Sequence, residues 1–458
     1  MFRALCSVCL PFFRPALTAL LLVGLAQAAR SEVIAPRTLR ECVAIALENH
    51  PSLKAAAANV EAGQQRVRHA ASRYLPQIGA NFQPNRRKTS PTGQTGAEFG
   101  TIPLPNPTPS GTPRIGTTAR TFNFYSTGFT LTQVLFDFGK ILNTIQAALA
   151  SVDALAYDQA TQRETVIFNV KQAFFNVLAA QRLLRVADET VSQNRKQLNL
   201  AQERNNVGLA PRFDVTQAEV QLAQGELNQV TARNNLAVAQ VTLRNALGVT
   251  DPVDFDLVDT LATPPVDLTE SAALAFAYDH RPELLSLRAQ EAAQLAQIAA
   301  LQKDYLPNVT GNASYTWVGT AYPLQDNWNV GASVNMSLFS GGLTTAQIGE
   351  AKATLNNLRF NAEVTKQDIA LEVRQALLNL KEARESIRVA DKGFQRAREN
   401  LELAGGRYAQ GVGSFLELTD AQTSYTSADA SYVQALYTYR IDLAALERAS
   451  AYPIPAAD

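Results

Sequence analysis

The sequence contains one long apolar pattern twice, and this duplication limits the possible folds more than any other feature. In the second copy, from Ile369 to Ala404, apolar residues recur at alternating steps of four and three, which is the heptad spacing of packed helices. The first copy, from Val166 to Ala201, lies 203 positions earlier and has one polar residue, Asn194, in the same pattern. The sequence therefore predicts a duplicated unit built on a long coiled helix, although this pattern alone also fits the core of an ordinary helical bundle.

The N-terminus has the pattern of a secretory signal peptide. Arginines precede a short apolar run that ends in Ala26-Gln27-Ala28, a small-residue site for signal peptidase. The run is shorter than the roughly 20 residues of a membrane-spanning helix, which disfavours a transmembrane anchor. We therefore predict export and removal of residues 1–28.

Charge and cysteine content exclude several functional classes. The whole chain has 41 basic and 41 acidic residues, and cleavage removes two arginines, so the mature chain is close to neutral and does not suit nucleic-acid binding. Cys42 is the one cysteine of the mature chain, so no intrachain disulfide forms, and we predict that it is a buried apolar residue. The sequence has no metal-binding, nucleotide-binding or catalytic motif. We predict no enzyme activity, no cofactor and no metal site.

Each copy begins with a helix that a proline interrupts. We predict these helices over residues 29–74, with a break near Pro51, and over residues 269–305, with a break near Pro282. Both helices end at Tyr-Leu-Pro.

After each Tyr-Leu-Pro the apolar period changes from helical to two, which predicts strand hairpins over residues 75–136 and 306–339. In the second hairpin, residues 308–318 and 328–338 alternate apolar with uncharged polar side chains. In the first hairpin, the proline-rich residues 84–118 predict a long loop between the strands. A soluble hairpin that covers a helix would show the same alternation.

Aromatic residues at the strand ends favour a membrane sheet, because they resemble the two aromatic girdles of a membrane barrel. The predicted girdle residues are Phe82, Phe122, Phe124, Trp317 and Trp328 at the loop ends, and Tyr305, Phe136 and Phe339 at the helix ends. Four strands cannot close a barrel, and open edges in hydrocarbon cost several kcal/mol per unpaired group. Three chains would supply twelve strands, so we predict a trimeric 12-stranded β-barrel.

Long helical hairpins are predicted over residues 137–249 and 340–450. No proline occurs from Gly139 to Asn206, and a helix of that length reaches about 100 Å. Glycine-rich turns place the tips of the hairpins at residues 207–213 and 410–415.

Two further segments lie outside the repeated elements. Residues 250–268, rich in Asp and Pro, link the copies and predict a small lateral domain. Residues 451–458 form the C-terminal tail, which we expect beside it.

This order of elements resembles the outer-membrane efflux protein family of TolC-like channels. In both copies it runs through helix, Tyr-Leu-Pro, strand hairpin, Phe-Asp-Phe-Gly or Phe-Ser-Gly-Gly, long helix, glycine-rich turn and returning helix, and it covers nearly the whole mature chain. The resemblance implies a mixed α and transmembrane β fold. It implies a homotrimer with a β-barrel among the lipids of the outer membrane of a Gram-negative bacterium and an α-barrel of antiparallel coiled-coil helices across the periplasm.

The same resemblance implies the function of a passive exit duct. Such a duct serves a tripartite efflux system or a type I secretion system, and its partners are a periplasmic adaptor and an inner-membrane pump of the RND or ABC type. A soluble periplasmic scaffold or adaptor of coiled-coil helices is the alternative, because it would have the same helical seams. It would not need uncharged strands with aromatic ends.

The resemblance also implies a gate at the helical tips. In family members two acids beyond the second tip constrict the closed tunnel, and here Glu417 and Asp420 occupy those positions. A spacing of three puts both on one helix face, and a trimer would collect six carboxylates there and favour cations. Alternatively, Glu417 completes a capping box with Ser414. Tyr408 matches a gate tyrosine of the family, but Gly413 stands where some members have an arginine.

We expect the two turns to define the surface that an adaptor contacts. Asp214 is the first copy's equivalent of Glu417. The predicted docking residues are Gly208, Pro211, Asp214, Gly411 and Gly413.

Overall fold

The structure is a computed structural model that describes residues 37–89, 120–249, 257–259 and 268–453. The predicted signal peptide, most of the predicted linker 250–268 and the end of the tail lie outside the described residues. Residues 90–118 of the predicted loop also lie outside them. These four predictions therefore stay predictions.

Both copies consist of a broken helix, a strand hairpin and two long helices. The first copy comprises α1 (Leu39–Asn49), α2 (Pro51–Ala71), β1 (Gln77–Thr89), β2 (Arg120–Phe136), α3 (Lys140–Asn206) and α4 (Arg212–Leu247). The second comprises α5 (Glu270–His280), α6 (Pro282–Gln302), β3 (Asn308–Gly319), β4 (Gln325–Asn335), α7 (Leu343–Ala409) and α8 (Phe415–Ser450). Both long helices of the first copy begin and end 203 positions before their counterparts. The duplication therefore holds at the level of single residues.

The proline breaks lie at the predicted positions. Pro51 and Pro282 are the first residues of α2 and α6, where a helix needs no N–H group. His50 joins α1 to α2: its backbone N–H donates to Ala46 at 2.9 Å, and its Nδ1 accepts from the N–H of Ser52 at 3.3 Å.

The long helices pack side by side in the order α4, α3, α8, α7. Nearer the sheet, α2 and α6 pack beside the first halves of α3 and α7, so the order becomes α2, α3, α6, α7. The heptad seam is buried as predicted, for example at Val170 and Val177 in α3 and at Ile369 and Val373 in α7. Within the described ranges, no helix is both long enough and apolar enough to cross a membrane.

The polar residue of the first seam has a specific partner. Asn194 is buried, and its Nδ2 donates to the backbone oxygen of Gln221 in α4 at 2.8 Å. Gly225 leaves the space for this amide, because a Cβ there would lie 2.9 Å from Nδ2. The buried amide is thus satisfied, and it fixes the register of α3 against α4.

The described part of the linker is attached to the long helices. Asp259 accepts a hydrogen bond from the Tyr437 hydroxyl at 2.8 Å and pairs with Arg182 at 3.3 Å. Leu257 is buried in the core that α1, α3 and α4 share. The linker therefore connects the second half of α3 with the second half of α8.

The four strands form one antiparallel sheet in the order β1-β2-β3-β4, in which β2 and β3 join the two copies. Residues directly opposite one another share a face. One face is polar and uncharged over most of its length. The other face has large apolar side chains that the rest of the chain does not cover. The exposed residues include Ile78, Phe82, Phe129, Trp328, Val330 and Val334.

The prediction of a loop over residues 84–118 is wrong for its first six residues. β1 continues to Thr89, and every residue from Pro84 onward pairs with β2. Pro84 cannot donate a ladder hydrogen bond, but β1 is an edge strand of the chain and tolerates it.

The predicted strand 328–338 is displaced by three residues at both ends. β4 begins at Gln325, which pairs with Val318 across a short turn, and it ends at Asn335 opposite Asn308, the first residue of β3. Residues 336–338 continue the alternating pattern but have no partner strand. The alternation therefore predicted the faces correctly and the ends incorrectly.

A glycine substitution tests the close contact of β2 with β3. A Cβ on Gly128 would lie 2.4 Å from the backbone oxygen of Tyr315, whereas the nearest atom to a Cβ on Gly331 is 3.7 Å away. Gly128→Ala should therefore destabilise the folded protein by about 1–3 kcal/mol, seen as a lower thermal midpoint in detergent. Gly331→Ala is the matched control, and an equal effect of both variants would contradict the register.

The buried thiol gives a second test. Cys42 has no exposed surface, and burial raises the pKa of its thiol from 9.0 to about 11. Because the thiolate is the reactive form, Cys42 of the folded mature protein should resist maleimide at pH 8 and react fully in denaturant. Rapid labelling of the native protein, followed by mass spectrometry, would show that the core near α1 is open.

Candidate functional site

The two helical turns at the tips have the same backbone geometry. Gly208 and Gly411 have φ angles of +76° and +79°, a conformation that favours glycine. The next residue in each turn donates its N–H to an arginine carbonyl, Leu209 to Arg204 at 2.8 Å and Val412 to Arg407 at 3.0 Å. The predicted turn glycines therefore end α3 and α7 in the same way. Pro211 is the residue that precedes α4.

Arg204 of the first hairpin contacts the turn of the second. Its Nη1 donates to the backbone oxygen of Tyr408 at 2.5 Å, and its guanidinium lies 4.7 Å from the centre of the Tyr408 ring. A Cβ on Gly411 would lie 3.3 Å from Arg204 Nη2. The guanidinium thus fills the space between the ring and the turn, and it links the two hairpins.

Tyr408 is the centre of the tip. It is 4% exposed and packs edge-to-face on Phe415 at 5.6 Å between ring centres. Burial raises the pKa of the Tyr408 hydroxyl, the charge of Asp214 raises it further, and Arg204 opposes both. Burial also raises the pKa of the half-buried Asp214, which Arg204 partly offsets. The structure therefore places Asp214, Arg204 and Tyr408 in one electrostatic cluster.

The two acids of the second tip lie on the exposed face of α8. Glu417 and Asp420 are both exposed, on the helix face opposite the buried Phe415 and Leu418. The backbone N–H of Glu417 donates to Ser414 Oγ at 3.1 Å, which is the first half of the capping box. Its carboxylate instead lies 3.7 Å from Arg407 Nε. The capping role therefore belongs to Ser414, and the Glu417 side chain does not complete the box.

Gly413 has no space for a larger residue without movement of its neighbours. A Cβ there would lie 3.0 Å from the Cβ of Arg407 and 3.1 Å from the backbone nitrogen of Tyr408. The arginine that some family members have at this position would not fit this turn as it stands. Here the arginine at Tyr408 comes from the first hairpin.

The aromatic residues of the sheet lie partly where the sequence predicts. Trp328 lies opposite Tyr315, which in turn lies opposite Phe129, and these form an aromatic row across the apolar face. Phe82 and Trp317 share this face, two residues nearer the loops along their strands. At the helix end, Phe136 packs on Phe138 with ring centres 4.7 Å apart, and the Tyr305 hydroxyl hydrogen-bonds Thr345 at 2.9 Å.

Two of the girdle predictions are wrong in detail. Phe124 lies opposite Asn85 on the polar face, and Phe122, two residues along the same strand, shares that face. Phe339 lies on the helix side of the sheet, four positions beyond the end of β4, as Tyr305 lies three positions before β3, so its place in the girdle stays a prediction. The sequence pattern could not show the face of β2, because its alternation is irregular in this segment.

Sequence analysis missed Arg204, Phe129 and Tyr315. The sequence has a signal for Arg204, because an arginine stands four positions before the turn glycine in both copies, as Arg204 before Gly208 and Arg407 before Gly411. Phe129 and Tyr315 lie in the interior of their strands, so a search for aromatic residues at strand ends did not find them.

The sheet and the tips together define a class of protein. A small sheet exposes an apolar face at one end, and two helical hairpins of about 100 Å lead away from it to polar tips. These are the features of a subunit of a membrane channel with a long helical extension. The predicted fold class, mixed α and transmembrane β, is confirmed.

Comparisons with known proteins agree on the family. A family model described as outer membrane efflux protein matches residues 43–249 and 274–451. The outer membrane protein TolC of Salmonella enteritidis is 26% identical over 438 residues, covering 92% of this chain and 83% of TolC. The outer membrane efflux protein BepC of Brucella suis is 24% identical and covers 89% and 83% of the two chains.

Solved structures show the same fold. The outer membrane channel CmeC of Campylobacter jejuni matches with a TM-score of 0.76 at 20% identity, covering 90% of this chain and 85% of CmeC. The MtrE outer membrane channel of Neisseria gonorrhoeae matches with a TM-score of 0.72 at 21% identity, covering 91% and 89%.

The chain belongs to the outer membrane efflux protein family. It is an outer-membrane protein and an exit duct for efflux systems. Family membership therefore decides against the alternative of a soluble periplasmic scaffold.

Loss of Arg204 should loosen the second tip. Arg204→Gln removes a charge-assisted hydrogen bond and a cation–π contact, together about 1–2 kcal/mol, so amide exchange around Tyr408 should accelerate about five- to thirtyfold. Arg407→Gln is the matched control, because its exposed ion pair contributes little. Equal exchange in wild type and Arg204→Gln would show that this contact does not hold the tip.

Proposed function

We propose that three copies of the chain form one channel, which joins a periplasmic adaptor and an inner-membrane pump and narrows at the tips of the second hairpins. The chain performs no chemistry in this proposal, and the pump supplies the energy. One observation carries it: the sheet has an exposed apolar face and two edge strands, β1 and β4, and each pairs with one strand among the residues that the structure describes.

The edge strands require partners in lipid. Hydrocarbon provides no hydrogen bonds, so each unpaired backbone group on β1 and β4 costs several kcal/mol. Pairing β4 of one copy with β1 of the next satisfies both edges, and three copies close twelve strands, an even number that is common among outer-membrane barrels. Because the two paired surfaces differ, the contact is head-to-tail and closes as a ring.

The helices support the same ring. α4 and α7 are the outermost of the four long helices, and both have exposed apolar residues that are seven residues or a multiple of seven apart. These stripes consist of Phe213, Val220, Leu227 and Val241 on α4, and Val364, Leu371 and Leu378 on α7. Heptad stripes are the surfaces by which helices form coiled coils. Contact of α4 with α7 of the next copy would bury both stripes and continue the α-barrel.

The names of relatives support a role with a pump. TtgF of Pseudomonas putida, named a toluene efflux pump outer membrane protein, is 24% identical and covers 86% of this chain and 79% of TtgF. In this chain, the paired turns at Gly208, Pro211, Gly411 and Gly413 form the end that an adaptor would meet. Asp214 would support that end from behind, because it is half-buried beside Arg204 and Tyr408.

The acids of α8 suit a constriction. Glu417 and Asp420 are exposed and share one helix face, and Gln217 occupies the position of Asp420 in the first copy. A trimer would therefore concentrate six carboxylates, all from the second tips, around the axis. Such a ring attracts cations and repels anions. Tyr408, held by Arg204, would set how far the second tip leans toward the axis.

Conductance in planar bilayers tests the constriction. The double variant Glu417→Gln and Asp420→Asn removes the charge and keeps the shape of both side chains. We expect the cation-to-anion permeability ratio to fall severalfold toward one, and block by trivalent cations to weaken about tenfold.

The matched control is Glu219→Gln, which removes an exposed acid from α4 and should leave selectivity unchanged. Unchanged selectivity in the double variant would exclude Glu417 and Asp420 from the constriction. A monomer in detergent that conducts no ions would contradict the proposed channel itself.

A further inference from the structure

We infer that the outer end of β1 binds the phosphate groups of lipid A, the glycolipid of the outer leaflet, through Arg86 and Lys88. This inference rests on the proposed barrel, because it requires the apolar face of the sheet to contact lipid. It concerns a surface that the channel function does not use.

The charges of the four strands are concentrated at one end. All four basic residues of the strands, Arg86, Arg87, Lys88 and Arg120, belong to the last four residue pairs of β1 with β2. Asp326 in β4 is the one acidic residue of the four strands, and its carboxylate accepts a hydrogen bond from the Tyr315 hydroxyl at 3.1 Å. The outer end of the first hairpin is therefore strongly cationic.

Two of the cations lie on the apolar face. The pairing of β1 with β2 continues without a bulge from Gln77 to Thr89, so alternate residues keep one face throughout. Arg86 and Lys88 thus follow Ile78, Ala80, Phe82 and Pro84 along the same face. Both side chains are exposed. A solvated charge cluster inside the pore would lie on the opposite, polar face.

The residues across from these cations can also bind an anion. Thr121 lies opposite Lys88, Asn123 lies opposite Arg86, and Tyr125 lies opposite Pro84. We name these five residues, Arg86, Lys88, Thr121, Asn123 and Tyr125, the outer patch. The Tyr125 ring packs on Tyr322 of the β3–β4 turn at 5.4 Å. The outer patch therefore combines two positive charges with hydroxyl and amide donors.

The height of the outer patch matches the headgroups of a membrane. Arg86 lies four residues beyond Phe82, which is about 13 Å along a strand and about 10 Å along the membrane normal at usual barrel tilts. The polar headgroup layer is about 5–8 Å thick on each side of the hydrocarbon. Long cationic side chains above an aromatic girdle reach back to this layer. Lipid A carries its phosphates there, so charge and position both favour it as the occupant.

Binding of purified lipid A to the detergent-solubilised trimer tests the inference, with native mass spectrometry as the readout. Lipid A with both phosphates should bind the wild type, and lipid A without phosphates should bind much more weakly. A cation near an anionic lipid surface contributes about fivefold in affinity, so the Arg86→Gln and Lys88→Gln double variant should bind about 30-fold more weakly.

The matched control removes two positive charges from the opposite end of the same strands. Arg73 and Lys303 lie in the turns that precede β1 and β3, and Arg73→Gln with Lys303→Gln should leave lipid A binding unchanged. Inorganic phosphate at millimolar concentration should not displace lipid A. Should the double variant fail to fold, the single variants Arg86→Gln and Lys88→Gln should each show about a fivefold loss.

Several results would overturn the inference. One is equal binding of phosphorylated and dephosphorylated lipid A, and another is wild-type affinity in the Arg86→Gln and Lys88→Gln variant. A third is an equal loss of trimer stability in this variant and in Asp326→Asn, with lipid binding unchanged in both. That result would show that the cations form an ion pair between subunits instead of binding lipid. Channel conductance is measured in parallel, so loss of lipid binding with normal conductance separates this inference from the proposed channel.

Discussion

The structure depends on one requirement, that backbone groups placed in hydrocarbon must be paired. Two strand hairpins, one from each copy, join through β2 and β3 into a single sheet, and this pairing leaves the edges β1 and β4. In the helical body the outermost helices, α4 and α7, likewise have surfaces that the chain itself does not cover, namely their exposed heptad stripes. The sheet and the helical body thus each have two different sides, β1 and β4 in the sheet and α4 and α7 in the helical body. Two different, complementary sides are the condition for a closed ring of identical subunits.

The duplication is regular in the backbone and unequal in the chemistry of its tips. Each copy has an arginine before the turn glycine and an acid at the start of the returning helix, Arg204 with Asp214 and Arg407 with Glu417. In the first copy these charges are turned toward Tyr408, and in the second they are exposed. The first copy therefore uses its charged pair to stabilise the tip, whereas the second copy leaves its acid exposed.

Particular elements show how far sequence reasoning succeeded. Helix bounds followed from prolines and glycines, because these residues act locally on the backbone. Strand ends did not, because β1 continues through Pro84 only where β2 pairs with it, and β4 stops at Asn335 only because β3 begins at Asn308. Phe122 and Phe124 lie on the polar face, which the irregular alternation of β2 could not show. At the tip, sequence identified Tyr408 but not Arg204, whose partner lies more than 200 residues away.

By itself the sequence determined the duplication, the long helices with their seams and turns, and the change to strands, because all of these depend on side-chain period and on local backbone restrictions. Tertiary structure alone decided the order of the strands, the lengths over which they pair, the linker contact of Asp259 with Tyr437, and the cluster of Arg204, Asp214 and Tyr408. These features depend on which distant segments meet. The spacing of apolar residues along the chain specifies which face of a helix or strand is buried. Only the segment that packs against this face determines where the contact ends and which residues it includes.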